Sequence, residues 1–204
     1  MIKKLPNILT MFRVLLTFLI MGLILFGNHE ASHIWLVIIG LFIIAALTDL
    51  ADGEIARRCN AVTTFGKFID PIADKFLIIG IMICLLAKMP TFPVNTGLSS
   101  LSDINFGLSH ADIMAICIVI TLARELMISS IRMLSAEQGI VISANVWGKV
   151  KTVIQILSIV IYLFAIWARW DGFGVLAIMI STLVVLISGI TYVLDFVKLT
   201  KSKK

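Results

Sequence analysis

The 204-residue sequence is poor in charge, and that scarcity limits what the chain can be. Asp, Glu, Lys and Arg make up 14% of it, against about 25% in an ordinary soluble domain. A soluble enzyme and a charged disordered tail are both excluded. Cysteine is scarce as well. Cys59, Cys84 and Cys117 lie far apart, without the density of a disulfide-stapled secreted domain or the spacing of a metal site. No internal repeat, low-complexity tract or small-residue cleavage site after the first apolar run is visible. What fills the sequence instead is apolar: 60% of the residues are hydrophobic. They gather into runs of about twenty, the length that crosses a bilayer as helix.

Six runs are predicted as spans: Ile8–Gly27, Ile34–Arg57, Gly66–Lys88, Ala111–Ala136, Val146–Trp167 and Gly174–Val197. Between the third and fourth, Met89–His110 carries Pro90, Pro93 and several Ser and Asn, so it reads as a loop outside the bilayer. The expected fold is an all-α integral membrane bundle of six transmembrane helices, a single domain over 1–204, with a polar cavity open to the cytoplasmic side. Basic residues set the orientation. Lys3, Lys4, Arg57, Arg58, Lys67, Lys149, Lys151, Lys198, Lys201, Lys203 and Lys204 fall at ends facing one side. Arg13, Lys75, Arg124 and Arg132 lie inside spans but nearer that side, leaving Lys88 and Arg169 at the other. The positive-inside rule then predicts a multi-pass protein with both termini cytoplasmic. The net charge of +5 reads as topology and anionic-lipid contact, and no nucleic-acid partner is expected. Trp35, Trp147, Trp167 and Trp170 near span ends read as interfacial anchors.

The acids break the apolar rule. Asp49, Asp52, Asp70 and Asp74 lie in the second and third runs, where an ionised side chain facing lipid costs about 2.5–3.5 kcal/mol. They must face a wet cavity. At 100° per residue, Asp52 lies about 60° from Asp49, Gly53 about 40° to the other side, Ala56 about 20° away and Arg57 about 80°. Gly66 and Asp74 each lie about 40° from Asp70, one turn below and above it. Two helical faces thus carry paired carboxylates beside small residues. Two such charges 4 Å apart repel by about 4 kcal/mol at an effective dielectric near 20, so protons or cations must relieve them. Oxygen ligands without clustered His or Cys point to Mg²⁺ or Mn²⁺, and a magnesium shell shared with substrate phosphates suggests phosphoryl chemistry. A lone acid of this kind would more simply be a helix-packing hydrogen bond or a proton relay.

The pattern D-x2-D-G-x2-A-R-x8-G-x3-D-x3-D, formed by Asp49, Asp52, Gly53, Ala56, Arg57, Gly66, Asp70 and Asp74, resembles the signature of the CDP-alcohol phosphotransferase family at every position. The resemblance implies that an alcohol attacks the lipid-side phosphorus of CDP-diacylglycerol and releases CMP. It implies two metal ions held chiefly by Asp49, Asp52 and Asp70, with Asp74 as general base and a further candidate ligand. Gly53, Ala56 and Gly66 would leave room for the CDP-lipid, and Arg57 would bond phosphate oxygens. Asn7 and Thr10 line the nucleotide pocket or merely cap the first helix. A homodimer in a bacterial inner or plasma membrane is also implied.

The stretch Leu5–Arg13, the Ala123–Glu125 triplet with Arg132, and Gly148–Thr152 resemble the subgroup that uses glycerol 3-phosphate and makes phosphatidylglycerophosphate. A phosphorylated acceptor needs cations, and Lys67, Arg124, Arg132, Lys149 and Lys151 are the candidates. Arg124 and Arg132 lie about 80° apart and about 12 Å along a helix axis, so both could line one pocket. Lys149 and Lys151 lie about 200° apart if helical. Gly148 suggests an entry turn there, or that only one faces inward. Glu125, about 20° from Arg132 in projection though two turns away, could orient a basic neighbour. Each cation could instead be a topology signal or a snorkelling side chain. Rival readings are the same family with inositol phosphate, serine or phosphatidylglycerol as acceptor, and an ion-coupled transporter.

Overall fold

The computed structural model describes residues 5–28, 31–59, 69, 72–89, 109–137 and 146–202. Over 5–7, 32, 49–59, 136–137, 146–149, 171, 199 and 201–202 it gives the backbone alone. Among the described residues every element is helical: α1 (Leu5–Phe26), α2 (Ser32–Cys59), α3 (Ile81–Lys88), α4 (His110–Glu137), α5 (Val146–Ala168) and α6 (Asp171–Ser202). A helical turn over 72–75 and a π-helical segment, Phe76–Gly80, run without a break into α3, making one rod.

That rod is the pivot of the bundle. It packs against α1, α4 and α5, while α1 lies on α2, α2 on α5, and α6 along both α4 and α5. Its buried face, Leu77, Ile81 and Leu85, meets Ile20 and Ile24 of α1, Ile38 and Phe42 of α2, Met114 of α4, and Ile159 and Leu163 of α5 in one core. The opposite faces are also apolar. Leu15, Phe18 and Leu19 of α1, Val119 and Leu126 of α4, and Leu183 and Ile190 of α6 are all exposed. Apolar surface on this scale is suited to hydrocarbon and not to water. Among the described residues, four helices are long and apolar enough to cross a membrane, over Ile8–Phe26, His110–Ser135, Val150–Ala168 and Gly172–Lys198. The apolar part of α2, His33–Thr48, is shorter.

Helix ends explain how the chain reverses. Ser109 caps α4: its backbone N–H and hydroxyl donate to Asp112 Oδ2 at 2.8 and 2.7 Å, and Asp112 N–H returns to Ser109 Oγ at 3.2 Å. This reciprocal pair satisfies donors the first turn would leave open. Arg169 ends α5 with φ of 59°, and Trp170 N–H reaches back to the Ala165 carbonyl at 2.7 Å while Arg169 N–H reaches Ile166 at 3.1 Å. These two bonds form the left-handed cap that lets α6 fold straight back. The helices then approach closely: a Cβ on Gly174 would stand 2.6 Å from Tyr162 Cδ2 and 3.1 Å from its Cα.

Inside the apolar helices, hydroxyls bond their own helix one turn back. Thr17 donates to the Arg13 carbonyl, Thr182 to Ile178 and Ser135 to Ile131. No acceptor from outside the helix is needed. Two expectations change. Trp35 is 3% exposed and belongs to the core, because α2 turns that face toward its neighbours; Trp170, by contrast, is exposed and tilts against Phe173 at 6.0 Å. The last helix overruns Gly174–Val197 at both ends, since nothing between Lys198 and Ser202 breaks a helix.

Candidate active site

The turn over 72–75 places Asp74 and Lys75 at the head of the central rod, with Ala73 between rod and core. The π-helical segment follows at once and carries Ile78 and Ile79 onto the same side. Opposite, α4 presents Thr121 and Glu125, one turn apart, and α5 presents Lys151, Thr152 and Gln155. Together these residues line a small, partly open cleft. Lys75 Nζ ties the rod to α4 by donating to Ser129 Oγ at 2.7 Å, and Ser129 Oγ donates to the Glu125 carbonyl at 2.8 Å.

One carboxylate organises the charges. Glu125 Oε1 accepts from Arg124 Nη1 at 2.8 Å and is ion-paired directly with Lys151 Nζ. Arg124 Nη2 donates to Ser188 Oγ of α6 at 3.0 Å, so the cluster joins three helices. Asp74 lies near enough for its charge to act on Lys151 as well. Side-chain exposures of 7% for Arg124, 14% for Glu125 and 13% for Lys151 put these ions largely out of water. Any one of them alone would be expensive there, and only the pairing makes the set tolerable.

The expected site residues fall into three groups. Asp74 and Lys151 line the cleft. Arg124 does not; it lies behind Glu125, facing α6. Arg132 is exposed, with its guanidinium 5.8 Å from the centre of the Tyr192 ring. The suggested partnership of Glu125 with Arg132 is replaced by Arg124 and Lys151, since seven residues of helix separate the first pair by about 10 Å along the axis. Thr10 is buried on α1, on the side that also buries Arg13 and Thr17. The backbone of Asn7 is in α1, and those of Asp49, Asp52, Gly53, Ala56 and Arg57 are in the last turns of α2; their side chains lie outside the described set. Lys149 is likewise placed by backbone only, in a helix already running from Val146, so Gly148 makes no entry turn. Gly66, Lys67 and Asp70 lie outside the described residues. Among the described residues no three His, Cys, Asp or Glu side chains gather as a metal site.

Thr121, Gln155 and Ser188 join the cleft or its support without having been singled out from the sequence, while Lys75 is read there only for topology and Thr152 only as the end of a resembling stretch. A signal was present. Thr121 with Glu125, and Lys151 with Gln155, are polar pairs four apart inside apolar helices, the spacing that aligns side chains on one face.

Residues 3–193 match the family model described as CDP-alcohol phosphatidyltransferase. A CDP-diacylglycerol–glycerol-3-phosphate 3-phosphatidyltransferase of Rickettsia felis is 31% identical over 196 residues, covering 93% of each chain. One of the same name from Mycoplasma pneumoniae is 33% identical over 79% of this chain and 68% of its own. Another from Bacillus subtilis is 36% identical over 119 residues, 58% of this chain and half of that protein.

Proposed function

The chain belongs to the CDP-alcohol phosphatidyltransferase family, and from that premise we propose that it moves the phosphatidyl group of CDP-diacylglycerol to glycerol 3-phosphate, giving phosphatidylglycerophosphate and CMP. The observation that carries the reading is the sharing of one cleft by the Asp74 carboxylate and the Lys151 ammonium. A phosphorylated alcohol needs both: a base for its hydroxyl and a cation for its phosphate. The names of the relatives from Rickettsia felis, Mycoplasma pneumoniae and Bacillus subtilis support the same donor and acceptor.

In this reading Asp74 accepts the proton of the attacking hydroxyl. The hydroxyl oxygen bonds to the lipid-side phosphorus, the bond from that phosphorus to the pyrophosphate bridge breaks, and CMP leaves. A base hydrogen-bonded to the nucleophile contributes about 10²–10⁴-fold. Lys151 and Lys75 hold the acceptor phosphate at the cleft with Arg124 acting from behind, and Lys67, Lys149 and Arg132 are the further candidate cations for it. Asn7, Thr10, Gly53, Ala56, Arg57 and Gly66 receive the CDP-lipid. The donor set fits a hard divalent ion, since the cleft offers carboxylate and hydroxyl oxygen and neither His nor Cys. Asp49, Asp52, Asp70 and Asp74 would hold two Mg²⁺ or Mn²⁺ ions. Bound there, these ions would neutralise pyrophosphate and leaving-group charge.

The proposed setting is a plasma membrane crossed six times by a single domain over 1–204, with both termini and the cavity mouth cytoplasmic, and with two copies forming a homodimer. The positive charges of both ends support that orientation. Purified protein in mixed micelles should release CMP from CDP-diacylglycerol with glycerol 3-phosphate and not with inositol phosphate or serine. Release with inositol phosphate alone would overturn the acceptor and leave the family standing.

A further inference from the structure

Arg124 is held from a helix that contributes nothing to the cleft wall. Its stem crosses α6 at Gly189, where an added Cβ would lie 3.0 Å from Arg124 Cγ, 3.5 Å from Nε and 3.9 Å from Cδ. One residue earlier, buried Ser188 accepts from Nη2 at 3.0 Å. Arg124 is itself 7% exposed, and its Nε has no hydrogen-bond acceptor. Its aim therefore depends on the Ser188 hydroxyl, the bare Cα of Gly189 and the Glu125 oxygen. That oxygen is also the one bound by Lys151. The two cations compete for a single carboxylate. When Arg124 is seated it takes part of the Glu125 charge, and Lys151, on the cleft wall, keeps more of its own.

We propose that Ser188 and Gly189 are positioning residues for the phosphorylated acceptor: they seat Arg124 so that it shares the Glu125 carboxylate with Lys151 and the cluster keeps a net positive charge beside the cleft. The proposal rests on the glycerol 3-phosphate reading above and adds a control point on α6. Loss of the seat lets Glu125 neutralise Lys151, and acceptor phosphate binds more weakly. A seat that served only helix packing would affect both substrates alike.

The test is steady-state CMP release by the full chain in mixed micelles, with each substrate varied in turn. Ser188→Ala should raise KM for glycerol 3-phosphate about tenfold, as loss of one hydrogen bond to a buried charge does. KM for CDP-diacylglycerol should stay within about twofold on the same argument. Ser188→Thr, which keeps the hydroxyl, should recover most of the loss. Gly189→Val should shift KM in the same direction, and Ile190→Ala, on the exposed face of the same helix, should behave as wild type. An unchanged KM for glycerol 3-phosphate in Ser188→Ala, or equal shifts for both substrates, would overturn the proposal. The seat is also read without turnover. Losses in melting temperature for Ser188→Ala and Arg124→Met should be less than additive in the double variant, and additive losses would overturn it. Absence of CMP release by the wild type with glycerol 3-phosphate would instead overturn the functional reading, while the melting cycle still decides the seat.

Discussion

Replacing Glu125 by Gln isolates the charge at the centre of the cluster while keeping its shape and an acceptor oxygen. With Arg124 Nη1 at 2.8 Å, the gross attraction lost is about 6 kcal/mol at an effective dielectric near 20. Arg124 and Lys151 share that oxygen, so they stand within about 6 Å of each other and would repel by about 3 kcal/mol once the carboxylate is neutral. Desolvation already spent on the carboxylate is recovered, which brings the net loss toward the 3–5 kcal/mol typical of breaking a buried pair from one side. Polar contacts inside bilayers measure lower, about 0.6–1.7 kcal/mol each, because the unfolded reference also finds partners. Both considerations place the Glu125→Gln loss near 3 kcal/mol. The assay is reversible SDS titration of the protein in mixed micelles, followed by circular dichroism. Adding Lys151→Met should return about half of the loss, since one of the two uncompensated cations is then gone. A Glu125→Gln protein within about 0.5 kcal/mol of wild type would refute the reasoning. It would mean that water reaches these ions freely.

Asp74→Asn should lower CMP release by at least about 10²-fold while CDP-diacylglycerol binding, followed by equilibrium dialysis of labelled lipid in micelles, stays near wild type. Turnover at the wild-type rate would remove Asp74 as the base. Chelation with EDTA should stop CMP release, and Mg²⁺ or Mn²⁺ should restore it. Persistent turnover in the chelated protein would rule out the hard-ion reading.

Helices α1, α4 and α5 were legible because burial in lipid demands only length and apolarity, and each lies within a few residues of the run that predicts it. Facing is another matter. Trp35 sits near a span end, as an interfacial anchor does, yet α2 turns it into the core; hydropathy alone does not say which side of a helix meets a neighbour. Glu125 does orient basic neighbours, but they are Arg124 and Lys151, because about 10 Å of rise outweighs the 20° match to Arg132. Asp74 was legible because its spacing to Asp70 is local. The Glu125 cluster was not, since it needs α4, α5 and α6 brought together across 64 positions from Arg124 to Ser188. Gly189 carries no chemistry of its own, and only the path of the Arg124 stem gives it a role.

The π-helical turn over Phe76–Gly80 makes the winding of an apolar segment a determinant of aim. Such a turn holds an additional residue relative to an α-turn. Rewinding the same five residues as regular α-helix would leave one of them over. The core face of Ile81 and Leu85 could then stay in place only if everything before it rotated by about 100°. Asp74 lies before it. A measure of hydrophobicity sees Phe, Leu, Ile, Ile and Gly as interchangeable filler, whereas the fold counts them. The phase of the carboxylate against Lys151 is set by how an apolar stretch winds, and a return to regular α-helix that leaves every charge intact would still point the base away from its substrate.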